Sequence, residues 1–216
     1  MFRQLTGNTS STLSAFSSSR DIIESMKKED IITLPNASLR EKSARIRTIT
    51  DDTIKLVSDM TDAALDWEDS RPHEISAALA AVQIDRLERA VIIRSDFDDK
   101  GSRDFTALIN PEIVKYEGDI IEDFEGCLSV SKVYGKVPRH SRVRVKAVDL
   151  NGQEVRFKAD GFLARVIQHE IDHTNGVVFI DHIKDKSDAF FTLDEKGELQ
   201  PLNYEKHIKD NSILWD

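Results

Sequence analysis

His169, Glu170 and His173 stand in the run QHEIDH, two histidines four positions apart with a glutamate after the first. On a helix this spacing puts both imidazoles on one face about a turn apart, within reach of a single metal ion, and lets the carboxylate meet a water on that ion. The chemistry such a trio performs is hydrolysis, and the third ligand decides its class. The extended zinc peptidase pattern is met as far as Gly176, but Phe179 stands where it requires a histidine. A downstream acid, Asp194 or Glu195, is one remaining route, although its surroundings, DEKGE, read as a turn. The other lies upstream, where Cys127 follows Gly126. A thiolate is a strong ligand for Zn²⁺ or Fe²⁺, and a glycine beside it permits close backbone approach or unusual dihedrals. The plainer readings are a core helix with two hydrogen-bonded histidines and an inert buried cysteine, but a buried Glu170 would then need a partner of its own.

These residues must be carried by definite elements. DGFLARVIQHEIDHTNG reads as a helix capped near Asp160 and closed by Asn175-Gly176. On a helical wheel Phe162, Val166, His169 and His173 share the buried stripe, and Arg165, Gln168 and Asp172 are assigned to a polar arc opposite. Before it, Val143, Val145 and Ala147 alternate, Asn151-Gly152 suits a two-residue type I′ turn, and Val155, Phe157 and Ala159 alternate back, which predicts a hairpin. Residues 89 to 96, 104 to 111 and 112 to 123 read as separate short strands. From Asp51, the spacing of Ile54, Val57, Met60, Ala64 and Trp67 predicts an amphipathic helix of about four turns, with Asp51 or Asp52 as cap. Residues 31 to 46 form an extended loop with a proline-marked turn. The order of elements predicts an α+β fold, with antiparallel strands and hairpins packed around the histidine-bearing helix.

At 216 residues the chain fits one domain with extensions. A net charge of -9 argues against broad contact with a phosphate backbone, so nucleic acid is not an expected partner. No run reaches the ~18 apolar residues of a membrane helix, and no membrane association is expected. One cysteine cannot form an internal disulfide, which suits a reducing cytoplasm. The Ser- and Thr-rich start, with Arg3 and Arg20 and no acid before Asp21, reads as a tail leading into a short helix around Ile22 to Met26. An organellar transit peptide is the alternative for it.

EGCLS at 125 to 129, ahead of QHEIDH at 168 to 173, resembles two motifs of the peptide deformylase family. A third motif of that family, Gly-x-Gly-x-Ala-Ala-x-Gln at the end of the first long helix, is matched in part by SAALAAVQ at 76 to 83. This segment keeps Leu79, Ala80, Ala81 and Gln83, with Ser76 and Ala78 in place of the glycines. LPNASLR and LINPEI also follow in the family's order. The resemblance runs from about residue 30 to residue 183. It implies a tail over 1 to 29, a catalytic domain over 30 to 190 and a C-terminal extension over 191 to 216.

By that similarity Cys127, His169 and His173 bind one divalent metal, with a fourth position left for water. The family's usual ion is Fe²⁺, with Zn²⁺, Ni²⁺ or Co²⁺ able to take its place. Glu170 acts as base and then as acid, Gln83 and the backbone N–H of Leu128 stabilise the oxyanion, and Ala77, Ala78, Phe162 and Val166 shape the pocket for the substrate methionine. Glu125 is expected to pair with Arg139, and Gln168 to tie its helix to a neighbouring loop. The implied reaction removes the formyl group from N-formylmethionyl peptides, on ribosome-associated nascent chains. The mixed charge of the last residues does not resemble the basic terminal helix by which many members touch the ribosome. Ser76 and Ala78 each add a side chain where the family often has none, which bears on pocket width and leaves a shifted preference or weak activity open. Two rival classes stay open: a zinc endopeptidase with a downstream carboxylate ligand, and a binding module with a structural metal.

Overall fold

A computed structural model describes residues 25–71, 74–99 and 101–215. Its centre is a seven-stranded antiparallel sheet built from β1 (Ala78–Ala80), β2 (Ala90–Arg94), β3 (Phe105–Cys127), β4 (Val130–Val148), β5 (Glu154–Asp160), β6 (Phe190–Leu193) and β7 (Leu199–Pro201). The order is β1-β2-β3-β4-β6-β7, with β5 on the far half of β4. Helix α1 (Asp51–Asp69) covers one face and α2 (Gly161–His173) the other, and two single-turn helices, α3 (Tyr204–His207) and α4 (Ser212–Trp215), close the chain.

Strand β2 shows why the sheet sits between two helices. Ala90 and Ile92 pack with Leu56, Met60 and Ala63 of α1, while Val91 and Ile93 pack with Ala164, Ile167 and Ile171 of α2. A strand covered on both faces needs apolar residues at every position, and AVIIR is buried throughout. A third apolar cluster joins Val130 and Val137 of β4 to Val178, Phe179, Ile180 and Ile183, and to Phe190, Ile208 and Leu214. Residues 190 to 215 thus contribute β6, which pairs with Tyr134 and Gly135 of β4, and side chains of this cluster.

The predicted hairpin is present in the expected register, Val143 opposite Ala159, Val145 opposite Phe157 and Ala147 opposite Val155. Its turn is not type I′, which needs positive φ at both central residues. Only Gly152 has it, at 77°, and the Asp149 carboxylate accepts the N–H groups of Asn151 and Gln153 instead. The strands read separately over 104 to 111 and 112 to 123 are one bent strand, β3, which passes Pro111 through a register shift between Ile109 and Glu112. A bulge lets the ladder tolerate the missing proline N–H.

Helix α1 is present, but its buried stripe is Thr53, Leu56, Met60, Ala63 and Ala64, and Ile54 is exposed. Its cap is Thr50, whose N–H donates to Thr53 Oγ1. SAALAAVQ is not a helix end: α1 stops at Asp69, and this segment forms β1 and the 3-10 turn Ala81–Ile84. The helix expected around Ile22 to Met26 falls mostly outside the described residues, and Met26 is not helical.

Candidate metal centre

Helix α2 presents its histidines to the end of β3. The ring centroids of His169 and His173 lie 4.9 Å apart, and ligand atoms of Cys127, His169 and His173 all fall within 4.8 Å of one another. His173 Nε2 is 3.2 Å from Cys127 Sγ. Past the end of α2 the chain turns at Gly176, where φ is 74° and an added Cβ would meet the Arg40 carbonyl at 2.3 Å, so glycine is required twice over. Gly126, next to the cysteine, is needed for close approach alone: a Cβ there would fall 2.6 Å from the Tyr134 ring.

Below the histidines lies a buried ion network. Glu125 accepts from Arg139 Nε at 2.9 Å and Nη2 at 3.0 Å, from Arg165 Nη1 at 2.7 Å, and lies 2.9 Å from His169 Nδ1. Burial raises the Glu125 pKa, but hydrogen bonds from His169 and Arg139 outweigh it and hold the carboxyl far below the usual range. Fixing Nδ1 on a carboxylate leaves the other ring nitrogen of His169 as the one that could meet an ion, the arrangement that orients metal-bound histidines in general. Burial and the nearby His169 push the His173 imidazole well below its usual value, toward the neutral form that binds metal. His169 moves the other way: burial lowers it, and the hydrogen bonds to Cys127 and Glu125 more than reverse that.

One thiolate and two imidazoles form a soft-to-borderline set suited to Zn²⁺, Fe²⁺ and their neighbours, with room left for another ligand. Glu170 completes the centre, because it is buried and its Oε2 has no hydrogen-bond partner among the described residues. Burial pushes its pKa up to about 7. The Gln83 side chain is also buried: its Oε1 accepts from Ala80 N–H at 2.9 Å, and its Nε2 donates to Ser129 Oγ at 3.1 Å and lies 3.5 Å from Cys127 Sγ. The amide NH₂ is thereby aimed at the thiolate end of the site. Leu128 stands in the turn just after the cysteine.

A cleft of about 280 Å³ opens onto Cys127, Leu128, Gln83, His169 and Glu170. Ala77, Ala78, Phe162 and Val166 line the same cleft. Ser76 is fully buried and donates its N–H to Glu68 Oε2 at 2.8 Å. Glu68 in turn pairs with buried Arg94, whose Nε donates to the Ser76 carbonyl at 3.0 Å. Neither downstream acid is near the ligands by fold: Asp194 and Glu195 sit in the turn between β6 and β7, and Asp194 Oδ1 accepts from the N–H groups of Lys196 and Glu198. Phe179, at the position of a peptidase's third histidine, is a core residue stacked on the His169 ring, centroids 6.0 Å apart.

The sequence model of the polypeptide deformylase family matches residues 28–189. The chain is 41% identical over 176 residues to a peptide deformylase of Thermomicrobium roseum, covering 80% of this chain and 96% of that one. It is also 41% identical over 159 residues to one of Chromohalobacter salexigens, covering 73% of this chain and 87% of the relative. This chain belongs to the peptide deformylase family. Two solved deformylases share its fold. That of Synechococcus elongatus, in complex with actinonin, has a TM-score of 0.65 and 33% identity, covering 72% of this chain and 80% of that one. That of Legionella pneumophila has a TM-score of 0.62 and 36% identity, covering 73% and 86%. The α+β fold expected from the sequence is therefore the deformylase fold, and the family is metal-dependent.

Several deformylase site neighbours escaped the sequence reading. Arg165 and Gln168, assigned to a solvent-facing arc, are buried. Arg165 holds Glu125, and Gln168 makes the tie expected of it, to the backbone of His140 in strand β4 where a loop was expected, at 2.9 Å to its carbonyl. The spacing carried the signal for Arg165, which stands four residues before His169 and so shares its side of the helix. His182 stands outside any metal-ligand spacing in the sequence, yet its Nε2 lies 2.7 Å from Asp172 Oδ2, and Asp172 accepts from Arg139. Nothing in the local sequence announces that contact. Ser129, the partner of Gln83, was visible only as a letter of EGCLS.

Proposed function

We propose that this chain carries out the deformylase reaction, hydrolytic removal of the formyl group from N-formylmethionyl peptides with release of formate, using Cys127, His169 and His173 as ligands of one divalent ion and Glu170 as the proton-transfer group. The observation that carries this assignment is the buried carboxyl of Glu170, whose Oε2 has no hydrogen-bond partner among the described residues, beside the Cys-His-His cluster. Burying a carboxylate unsatisfied is costly, so its retention calls for a reaction that uses it. A bound ion supplies Lewis acidity, bringing the pKa of water from 15.7 towards ~7.

Glu170 accepts the proton of the attacking water and delivers it to the departing peptide amine. Gln83 Nε2 and the Leu128 N–H donate to the oxyanion formed at the former carbonyl, and losing one such donor costs ~3 kcal/mol of barrier. The Ala80 N–H on Oε1 keeps the Gln83 amide from presenting its oxygen there. Phe162, Val166, Ala77 and Ala78 receive the methionine side chain, since they are apolar or small and line the cleft. Fe²⁺ is the proposed resident ion; Zn²⁺, Ni²⁺ and Co²⁺ suit the same donors. Residues 30 to 190 are taken as the catalytic unit, and ribosome-associated nascent chains in the cytoplasm as the setting, in keeping with the single cysteine. The transit-peptide alternative rests on residues outside those described. Among the described residues no helix is long and apolar enough to cross a membrane.

The test is formate release from formyl-Met-Ala-Ser. Glu170→Ala is expected to lower kcat/KM by about 10²- to 10⁴-fold while metal content stays at about one ion per chain. Full activity in that variant, or no formate from the iron-loaded wild type, would refute the assignment.

A further inference from the structure

Of the four residues assigned to the methionine side chain, Phe162 alone is exposed, at 51%, in the first turn of α2. Ala78 and Val166 are buried and Ala77 is half-buried. A ring so exposed gains little from its own helix, so holding it in one rotamer as a pocket wall takes a contact from elsewhere in the fold.

That contact comes from Phe97. The two rings meet edge to face, with centroids 5.0 Å apart and planes at 87°, a geometry that aromatic pairs prefer. Phe97 lies in the run SDFDD after β2, where Ser95, Asp96, Asp98 and Asp99 are exposed and Phe97 is half-buried. It packs on the apolar cluster that contains Ala78, Ala164 and Val166. The backbone is fixed on both sides of it: Ser95 N–H donates to the Asp104 carbonyl at 2.9 Å, and Asp98 N–H donates to Asp96 Oδ1 at 3.0 Å. Phe162 lines the cleft and Phe97 does not, so Phe97 meets the Phe162 ring from the side away from the substrate.

We propose that Phe97 is a positioning residue for specificity: it backs Phe162 and so sets the width of the pocket, favouring the slender thioether of methionine over an aromatic first side chain. The inference rests on the deformylase reading, because it takes that side chain to enter beside Phe162. Phe97 acts through Phe162 and takes no part in bond breaking. Without it, a ring-sized space opens behind Phe162, the ring retreats into that space, and the pocket widens.

The experiment compares kcat/KM, by formate release, for formyl-Met-Ala-Ser and formyl-Phe-Ala-Ser, using the metal-loaded full chain. Loss of one edge-to-face pair corresponds to a change of about two- to tenfold, and in Phe97→Ala the Met-to-Phe ratio falls by that factor, through KM rather than kcat. Phe97→Tyr keeps the ring and is expected to keep the ratio. Phe97→Leu leaves an apolar side chain in the cluster, is expected to fold even where Phe97→Ala does not, and gives a smaller fall in the same direction. Phe162→Ala, at an exposed position, shows the same fall as Phe97→Ala, and combining the two shifts the ratio no further. A wild-type ratio in Phe97→Leu, an equal loss for both peptides, or a full further shift in the Phe162→Ala background overturns the role of Phe97 and leaves deformylation standing. No turnover of any formylated peptide by the wild type overturns the functional reading, and this inference with it.

Discussion

Two buried carboxylates, Glu125 and Glu68, anchor the two halves of the cleft, and they do so differently. Glu125 sits beneath the ligands and binds side chains: Arg139, Arg165 and the imidazole of His169. Glu68 sits behind the substrate side and binds a backbone, the N–H of Ser76, while its partner Arg94 holds the Ser76 carbonyl. The first fixes where a proton and a ligand nitrogen stand. The second fixes where a strand begins, and with it Ala77 and Ala78 on the cleft wall. Metal chemistry demands exact side-chain orientation, whereas a peptide-binding wall needs a backbone that holds its course.

The difference can be tested by removing each anchor, beginning with the ligand they serve. Cys127→Ala should lose both bound metal and all measurable formate release, since three ligands become two. Retained metal in that variant would show that Cys127 is not a ligand. Glu125→Ala should cost about 3–5 kcal/mol of folding stability by stranding buried arginines, and should weaken metal binding about 10- to 100-fold. Denaturant midpoints together with metal titration would check it; normal metal affinity in a destabilised variant would show that Glu125 serves the fold alone. Glu68→Ala strands Arg94 and should cost stability on the same scale, about 3–5 kcal/mol at most. Its metal affinity should stay normal, and its KM for a formylated tripeptide should rise by several-fold as Ser76 to Ala78 lose their tether. A fall in metal affinity equal to that of Glu125→Ala would erase the distinction between the anchors.

Ser76 bears on the same contrast. Read from the sequence, its side chain threatened to narrow the pocket; in the fold it is buried, and the residues facing the cleft are Ala77 and Ala78. Of the two residues that stand in place of the family's glycines in that motif, only Ala78 lines the cleft.

The sequence by itself determined the fold class and marked out the proposed ligand trio and base, Cys127 among them through its resemblance to a family motif. The histidines and the hairpin depended on short-range spacing, HEIDH on one helix face and alternating valines in two strands, whereas EGCLS was read by its resemblance to a family motif. Local periodicity sets which side chains share a face, so these features were legible without contacts. Only the tertiary structure decided the rest. Glu125 and Arg165 are 40 residues apart, and Glu68 and Arg94 are 26 apart. No local pattern pairs such groups, because the energy that joins them arises only when burial removes water from both. The wheel placed Arg165 outside by its polarity, and the fold buried it because Glu125 was waiting there.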